Sequence, residues 1–235
     1  MSVKSKVFII VGSILVLFAG WFLLRYFRVY AVYKLPTCNM DPYFYIDQTI
    51  FASSLLKTQK GDVVVYMGEA LPNDATGDSY EVVGRIVAAE NDTVQLINGI
   101  LYVNGVLADD TMNLNYHFIL PEAVVAGKLT EYQEKYMVHP YYGNWISLNT
   151  SYANLMEMGA KDSATRTVDG SMVITPLDFG VFTSELWNYD NFGPVAVPEE
   201  SYFILGDNRS NSADSRLRGF IHKDKIIAKI VTGNQ

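Results

Sequence analysis

The chain has 235 residues and a formal net charge of −7, which is long enough for one large or two small domains with a hydrophobic core. The negative net charge and the lack of any block of basic residues argue against a nucleic-acid partner. Cys38 is the only cysteine, which excludes a disulfide bond within the chain.

The first predicted element is a membrane-spanning helix. Residues 7–24 contain no charge, and at about 1.5 Å rise per residue they cover most of a ~30 Å hydrocarbon core. A cleaved signal peptide is the competing interpretation, but bulky aromatic residues stand where a small-residue cleavage site is expected. We therefore predict a cytoplasmic tail over residues 1–6 and a transmembrane helix over residues 7–25. Basic residues flank both ends, so charge alone does not set the orientation.

Short apolar or alternating runs, separated by turn residues, predict β-strands further along the chain. These runs are GDVVVYMG (61–68), YEVVGRIVAA (80–89), DTVQLING (92–99), ILYVNG (100–105), ESYFILGDN (200–208) and KIIAKIVTG (225–233). Asn-Gly pairs at 98–99 and 104–105 are typical of two-residue hairpin turns, so LINGILYVNG predicts a tight hairpin.

Residues 108–195 have a different character. Residues 120–137 have helix-compatible spacing, whereas HPYYGNW (139–145) and NYDNFGP (188–194) are aromatic and loop-like. We predict a mainly β protein, in which an antiparallel core formed by residues 30–107 and 196–235 is interrupted by an inserted α+β cap.

The three histidines are far apart in the sequence and form no cluster with the cysteine, so we expect no metal site and no cofactor. They are His117, His139 and His222.

Four segments resemble type I signal peptidases, the membrane-anchored Ser/Lys enzymes that remove signal peptides outside the cytoplasmic membrane. CNMDP (38–42) stands where the family has S-M-x-P, and GDVVVY (61–66) matches G-D-[VI]-V-V-[FY]. GRIVAAENDTV (84–94) falls where the family has K-R-V-x-G-x-P-G-D-x-V. GDNRSNSADSR (206–216) fits G-D-N-R-x-x-S-x-D-S-R at every fixed position. The resemblance covers residues 7–107 and 196–230 and implies the antiparallel β fold of that family.

The departures from the family pattern fall on the catalytic residues. In the family a lysine, kept neutral by burial, takes the proton of the serine nucleophile. The alignment puts Asn39 in the serine position and Gly84 in the lysine position. An amide does not attack a peptide carbonyl and glycine offers no base. We therefore predict no catalytic residue and no enzyme activity, and we expect Asn39 to be chemically idle.

Two interpretations of the substituted dyad positions compete with a natural loss of catalysis. Cys38 is a candidate for a shifted nucleophile, because thiolates are strong nucleophiles, but on an extended strand its side chain would face away from the groove. The second interpretation is an engineered knock-out of the catalytic residues. It does not explain why AAEND (88–92) has also replaced the G-x-P-G-D turn of the family. The combined losses favour a natural pseudoenzyme.

The retained residues predict two sets of functional positions. The predicted substrate groove consists of Thr37, Cys38, Met40, Pro42, Val82 and Val83. The predicted structural buttress behind it consists of Arg85, Asp207, Asn208, Arg209, Ser212, Asp214, Ser215 and Arg216. Short polar side chains of the second set can form hydrogen bonds with backbone N–H and C=O groups. The resemblance implies that Arg85 pairs with Asp214 or one of its neighbours.

A chain that keeps the last motif but has lost both dyad residues resembles the accessory signal-peptidase-like proteins of Gram-positive pilus operons. Those proteins act with sortases in building covalent pili. This implies a single-pass protein of the cell membrane whose large domain is extracytoplasmic. Its expected partners are pilin subunits and, as a second candidate, a sortase. The groove would bind an extended pilin segment by strand addition without cutting it. Two other functions stay open, namely an active signal peptidase with atypical catalytic residues and a structural or immunity protein that reuses the fold.

Overall fold

The computed structural model describes residues 3–69, 79–110, 112–129, 131–132, 138–167, 174, 179 and 186–231. In this part of the chain, antiparallel β-sheets follow an N-terminal apolar helix, which confirms the predicted fold class.

Helix α1, Val3–Tyr26, has 24 residues and no polar face. Its most apolar window has a mean hydropathy of 2.7, and none of that window is buried against the rest of the structure. The predicted span, residues 7–25, lies within α1. The helix is long and apolar enough to cross a membrane, and its properties indicate membrane association.

Each of the six runs predicted as strands contains a strand. The strands of the described residues are β1 Ala31–Lys34, β2 Thr49–Ser53, β3 Val63–Gly68, β4 Tyr80–Ala89, β5 Thr93–Ile97, β6 Ile100–Val103, β7 Val106–Leu107, β8 Asn115–Pro121, β9 His139–Pro140, β10 Trp145–Ser151, β11 Thr165–Arg166, β12 Phe192–Ala196, β13 Ser201–Leu205, β14 Ile221–His222 and β15 Ile226–Ile230. Short helices of the described residues include α2 Tyr152–Glu157 and α3 Ser215–Arg218.

The largest sheet has the order β1-β2-β15-β3-β4-β13-β14, with every neighbouring pair antiparallel. Its central strand β3 is apolar on both faces because both faces are covered. Val63 and Val65 belong to one core cluster, and Val64 and Tyr66 belong to another. Successive side chains of a strand point to opposite faces, so a continuous apolar run suits this position.

One edge of β4 is only partly covered. β3 pairs with β4 along residues 80–85, whereas on the other side β13 pairs with β4 only from Arg85 to Ala89. Among the described strands, none pairs with residues 80–84 on that second side. We refer to this stretch as the free edge of β4.

The predicted hairpin is confirmed. β5 and β6 pair with Ile97 opposite Ile100, which leaves Asn98 and Gly99 as a two-residue turn, both with positive φ, 50° and 71°. This is the backbone conformation that Asn-Gly favours in hairpins. β12 pairs with β5 on its other side, so the chain has rejoined this sheet by residue 192.

Within residues 108–195, β11, β8, β10 and β9 form a sheet with its own apolar cluster, which includes Phe118, Leu148 and Leu155. Helix α2 begins after Ser151, whose Oγ accepts a hydrogen bond from the Asn154 backbone N–H at 3.3 Å. The segment with helix-compatible spacing begins instead with the end of β8 and two 3₁₀ turns, and residues 130 and 133–137 lie outside the described residues. The predicted domain boundaries stay a prediction.

Candidate functional site

A cavity of about 660 Å³ lies beside Asn39, the residue that the resemblance puts in the serine position. We refer to it as the groove. Its walls come from residues 36–39, the free edge of β4, and the loop from Arg209 to Ala213 together with α3. The lining residues are Pro36, Thr37, Cys38, Asn39, Ile46, Tyr80, Val82, Tyr189, Asp190, Arg209, Ser210, Asn211, Ser212, Ala213, Arg216 and Arg218.

Residues 36–47 form a turn between β1 and β2, so the expectation of an extended strand at Cys38 is wrong. The Asp41 N–H donates to the Cys38 carbonyl at 3.1 Å, and the Phe44 N–H donates to the Met40 carbonyl at 3.0 Å. Pro36 and Pro42 have no N–H to give to a strand ladder. As a result Cys38 and Asn39 both line the groove, although they are adjacent in sequence.

Asn39, which the resemblance puts in the serine position, holds the turn against β4. Its Nδ2 donates to the Val83 carbonyl at 2.7 Å, and its Oδ1 accepts from Thr37 Oγ1 at 2.7 Å. The side chain is half-buried. The sequence-based expectation that Asn39 is idle therefore applies to nucleophilic chemistry and not to structure.

Gly84, which the resemblance puts in the lysine position, is buried on β4 between neighbouring side chains. A Cβ at this position would lie 2.5 Å from Cγ2 of Ile204 and 3.3 Å from Cε1 of Tyr66. The Cγ2 of a β-branched residue cannot move away without a change of rotamer or backbone. The space that the first atoms of a lysine side chain would need is therefore filled.

Cys38 is not an activated thiol. Its Sγ accepts a hydrogen bond from Asn211 Nδ2 at 3.2 Å. Burial, and secondarily the negative charge of Asp41, raise the pKa of the Cys38 thiol above its ordinary value. The thiol therefore stays protonated at neutral pH, and the described residues that line the groove include no lysine or histidine to take its proton.

The predicted buttress residues lie next to the groove, and three of them, Arg209, Ser212 and Arg216, line it. Arg85 pairs with Asp207, through Nε to Oδ1 at 2.8 Å and Nη2 to Oδ2 at 2.7 Å, and not with Asp214. Asp214 instead holds Arg216, with two hydrogen bonds of 2.8 Å. Asp214 also accepts a hydrogen bond from the Gly206 N–H at 3.1 Å.

The loop of the last motif contacts the turn directly. The Asn208 N–H donates to the Asn39 carbonyl at 3.0 Å, and Asn208 Nδ2 donates to the Cys38 carbonyl at 3.0 Å. Gly206 is required by this close approach, because a Cβ there would lie 2.6 Å from the Asn39 oxygen. Further along the loop, Ser215 Oγ accepts from the Ile204 N–H at 2.9 Å. The buttress therefore fixes the backbone of the turn.

Sequence reasoning missed the partner of Arg209. Its Nη1 donates to Asp109 at 2.5 Å, and the same carboxylate oxygen accepts from Tyr116 Oη at 3.1 Å. The Arg209 N–H also donates to the Asn115 carbonyl at 2.9 Å. The loop is thus joined to β8 of the inserted sheet. No motif marks Asp109, because its partner is distant in sequence.

The predicted groove residues do not all line the groove. Thr37, Cys38 and Val82 line the groove, and Val83 contributes its carbonyl. Pro42 lines a neighbouring cavity. The structure differs from the prediction at Met40, which is fully buried in a core cluster.

Among the groove residues that the sequence did not predict, Tyr80 and Arg218 contact each other. Arg218 donates to the Tyr80 hydroxyl, and its Cζ lies 4.9 Å from the centroid of the Tyr80 ring. They close the groove at the beginning of β4. Among the described residues, no group of three or more His, Cys, Asp or Glu is placed to hold a metal ion.

A model of the family described as signal peptidase, peptidase S26, matches residues 5–232. Signal peptidase I of Aquifex aeolicus is 25% identical over 240 residues, covering 94% of this chain and 80% of the relative. Signal peptidase I of Rickettsia canadensis is 29% identical over 206 residues, covering 87% of this chain and 60% of the relative. Among solved structures, a signal peptidase I of Enterococcus faecalis aligns with a TM-score of 0.36 and 18% identity, over 75% of this chain and 98% of that one.

Proposed function

Because the chain belongs to the signal peptidase family, peptidase S26, we propose that it is a member that has lost catalysis and binds polypeptide at the membrane instead. The proposed ligand is an extended segment of a pilin subunit, held for a sortase during the assembly of a covalent pilus.

The observation that carries the loss of catalysis is the state of the two dyad positions. Asn39 uses its amide in hydrogen bonds to Val83 and Thr37, and Ile204 fills the space beside Gly84. Neither position holds a nucleophile or a base. The raised pKa of the Cys38 thiol supports the same proposal, since it leaves the nearest alternative nucleophile protonated.

The binding part of the proposal is supported by what the groove retains. The free edge of β4 presents main-chain donors and acceptors, which bind an extended peptide without any catalytic group. Asn208 fixes the backbone of the turn opposite, so the shape of the groove is maintained. An interface of this kind is small, and we expect a weak dissociation constant, on the order of micromolar. Anchoring of both partners at one membrane raises their effective concentration and offsets weak affinity.

The loss of catalysis is tested by incubation of the purified full-length protein, in detergent micelles, with a precursor that carries a signal peptide. We expect no cleavage under conditions in which an active signal peptidase cleaves the precursor completely. Cleavage by this protein at a comparable rate would end the proposal.

The pilin-binding role is tested in a pilus-forming strain from which the gene has been deleted. Val82 is half-buried in the groove wall, so Val82→Arg places a charge in the groove and should reduce the ladder of pilin polymers on immunoblots. The matched control is Val106→Arg on β7, where the valine is exposed and lies outside the groove. Full polymerisation with both variants, each present at wild-type level, would exclude the groove as the binding site. Met40 is unsuitable for this test because its substitution would disturb the core.

Endopeptidase activity with atypical residues is the second candidate function. The observation in its favour is that Cys38 lines the groove and that relatives are named signal peptidase I. Since Cys38 is the only cysteine, alkylation of the protein with iodoacetamide is specific to it. Precursor cleavage that alkylation abolishes would favour this second function. Cleavage that alkylation does not change would point to a nucleophile other than Cys38.

A further inference from the structure

The free edge of β4 offers a limited set of main-chain groups. The N–H and C=O of Ile86 point towards the β3 side of β4. They pair there with the Asp62 carbonyl and the Gly61 N–H, just before β3, at 2.9 and 2.8 Å. In an antiparallel ladder the facing side alternates with each residue. The main-chain groups of Glu81 and Val83 therefore face the free edge, where an added strand would bind.

One of these groups is already occupied by the chain itself. Asn39 Nδ2 donates to the Val83 carbonyl at 2.7 Å, which is the bond that an N–H of an added strand would make. A carboxamide is chemically a short piece of peptide, so it satisfies the edge in the same way as a backbone N–H does.

The side chain and the backbone of Asn39 are each held by a further hydrogen bond. Thr37 Oγ1 donates to the side-chain Oδ1 at 2.7 Å, and the Asn208 N–H donates to the backbone carbonyl of Asn39 at 3.0 Å. The side chain is half-buried, so its bond to Val83 can open without disturbing the core.

We propose that the Asn39 carboxamide is an internal competitor for the free edge of β4. It restricts strand addition to the groups around Glu81 until the side chain turns away from Val83. This inference rests on the proposed function, since it concerns the regulation of the same groove. The residue in the nucleophile position then controls the register and the strength of peptide binding.

The test measures peptide binding by the full-length protein in detergent micelles. The probe is a fluorescein-labelled eight-residue peptide of alanine, valine and threonine with blocked ends, because main-chain bonds supply the affinity. Asn39→Ala frees the Val83 carbonyl, and the dissociation constant should fall about 3- to 10-fold, the range expected for one hydrogen bond. Asn39→Asp keeps the size of the side chain but has no N–H to donate, so it should act in the same direction. Thr37→Val removes the hydroxyl that holds Asn39 and should give a smaller gain.

The matched control is Asn144→Ala, since Asn144 is exposed between β9 and β10 and lies outside the groove. It should leave the dissociation constant unchanged. Equal affinity of the wild type, Asn39→Ala and Asn39→Asp would overturn the competitor role while leaving the binding function in place. If no form binds the probe, strand addition itself is wrong, and the competitor role is wrong with it.

Discussion

The guanidinium of Arg85 and the carboxylate of Asp207 form a buried bidentate pair, with N···O distances of 2.8 and 2.7 Å. Arg85 follows Gly84 on β4, and Asp207 lies at the beginning of the loop of the last motif. The pair thus ties the strand that forms one wall of the groove to the loop that forms another. Charge-assisted, bidentate hydrogen bonds of this kind are stronger than hydrogen bonds between neutral groups.

Removal of one partner of this pair should be costly. Arg85→Ala leaves the carboxylate of Asp207 buried and unpaired, so we expect the free energy of unfolding to fall by about 3–5 kcal/mol. Arg85→Lys keeps the charge but loses the paired geometry and should cost less. Urea unfolding of the solubilised protein measures both. A loss below about 1 kcal/mol for Arg85→Ala would show that the pair contributes little to the stability of the folded protein.

A side chain introduced at Gly84 should clash with Ile204. Gly84→Ala puts a Cβ within 2.5 Å of Cγ2 of Ile204, and overpacking of this kind costs about 1–3 kcal/mol. Ile204→Ala removes that atom, so the double variant should be more stable than the sum of the two single effects predicts. A strictly additive double-mutant cycle would contradict the close packing.

The same contact affects any attempt to restore catalysis. Asn39→Ser alone lacks a base and Gly84→Lys alone lacks a nucleophile, so both should be inactive in precursor cleavage. The double variant should give traces at most, and the addition of Ile204→Ala should increase them. High activity of either single variant would refute this account of the dyad.

Asp41 should make stability depend on pH. Its Oδ1 is buried and has no hydrogen-bond partner, and burial raises the pKa of the carboxyl from 3.8 to about 6. The folded state therefore holds the proton more tightly than the unfolded chain. This contribution to stability is present below about pH 4 and is lost as the pH rises through about 6.

The variant Asp41→Asn stays neutral at all these pH values. It should be more stable than the wild type by about 1–2 kcal/mol at pH 7.5, a value reduced for solvent screening of a partly exposed group, and equally stable at pH 4. Unfolding midpoints at the two pH values measure the difference. A gain that is the same at both would exclude titration of Asp41 as its cause.

The orientation of the membrane anchor is tested by proteolysis. We expect residues from about Tyr30 onward to lie outside the cytoplasm, because the retained motifs have their family role there. Protease added to intact protoplasts should then digest the large domain. Survival of the domain until the cells are lysed would reverse the orientation.

The elements of local origin were predictable from the sequence. The apolar helix, six strand-forming runs and the Asn-Gly hairpin follow from composition and periodicity, which act over a few residues. The ordered motif from Gly206 to Arg216 indicated the family, and the residues at positions 39 and 84 are the basis of the proposal that the dyad is lost.

The contacts that give the groove its present form depend on residues distant in sequence, and only the tertiary structure decided them. Nothing in the local sequence of Asp109 marks it as the partner of Arg209, one hundred residues away. Met40 looked like a groove residue by its place in the motif, but the turn that carries it directs its side chain into the core. Likewise, the sequence shows of Asn39 only that it stands where the resemblance expects a serine. Its second role follows from the turn, which brings its amide within 2.7 Å of a strand edge forty-four residues further along the chain. Sequence pattern identifies which chemical groups are present, whereas hydrogen-bond partners are set by distances that only the packed chain defines.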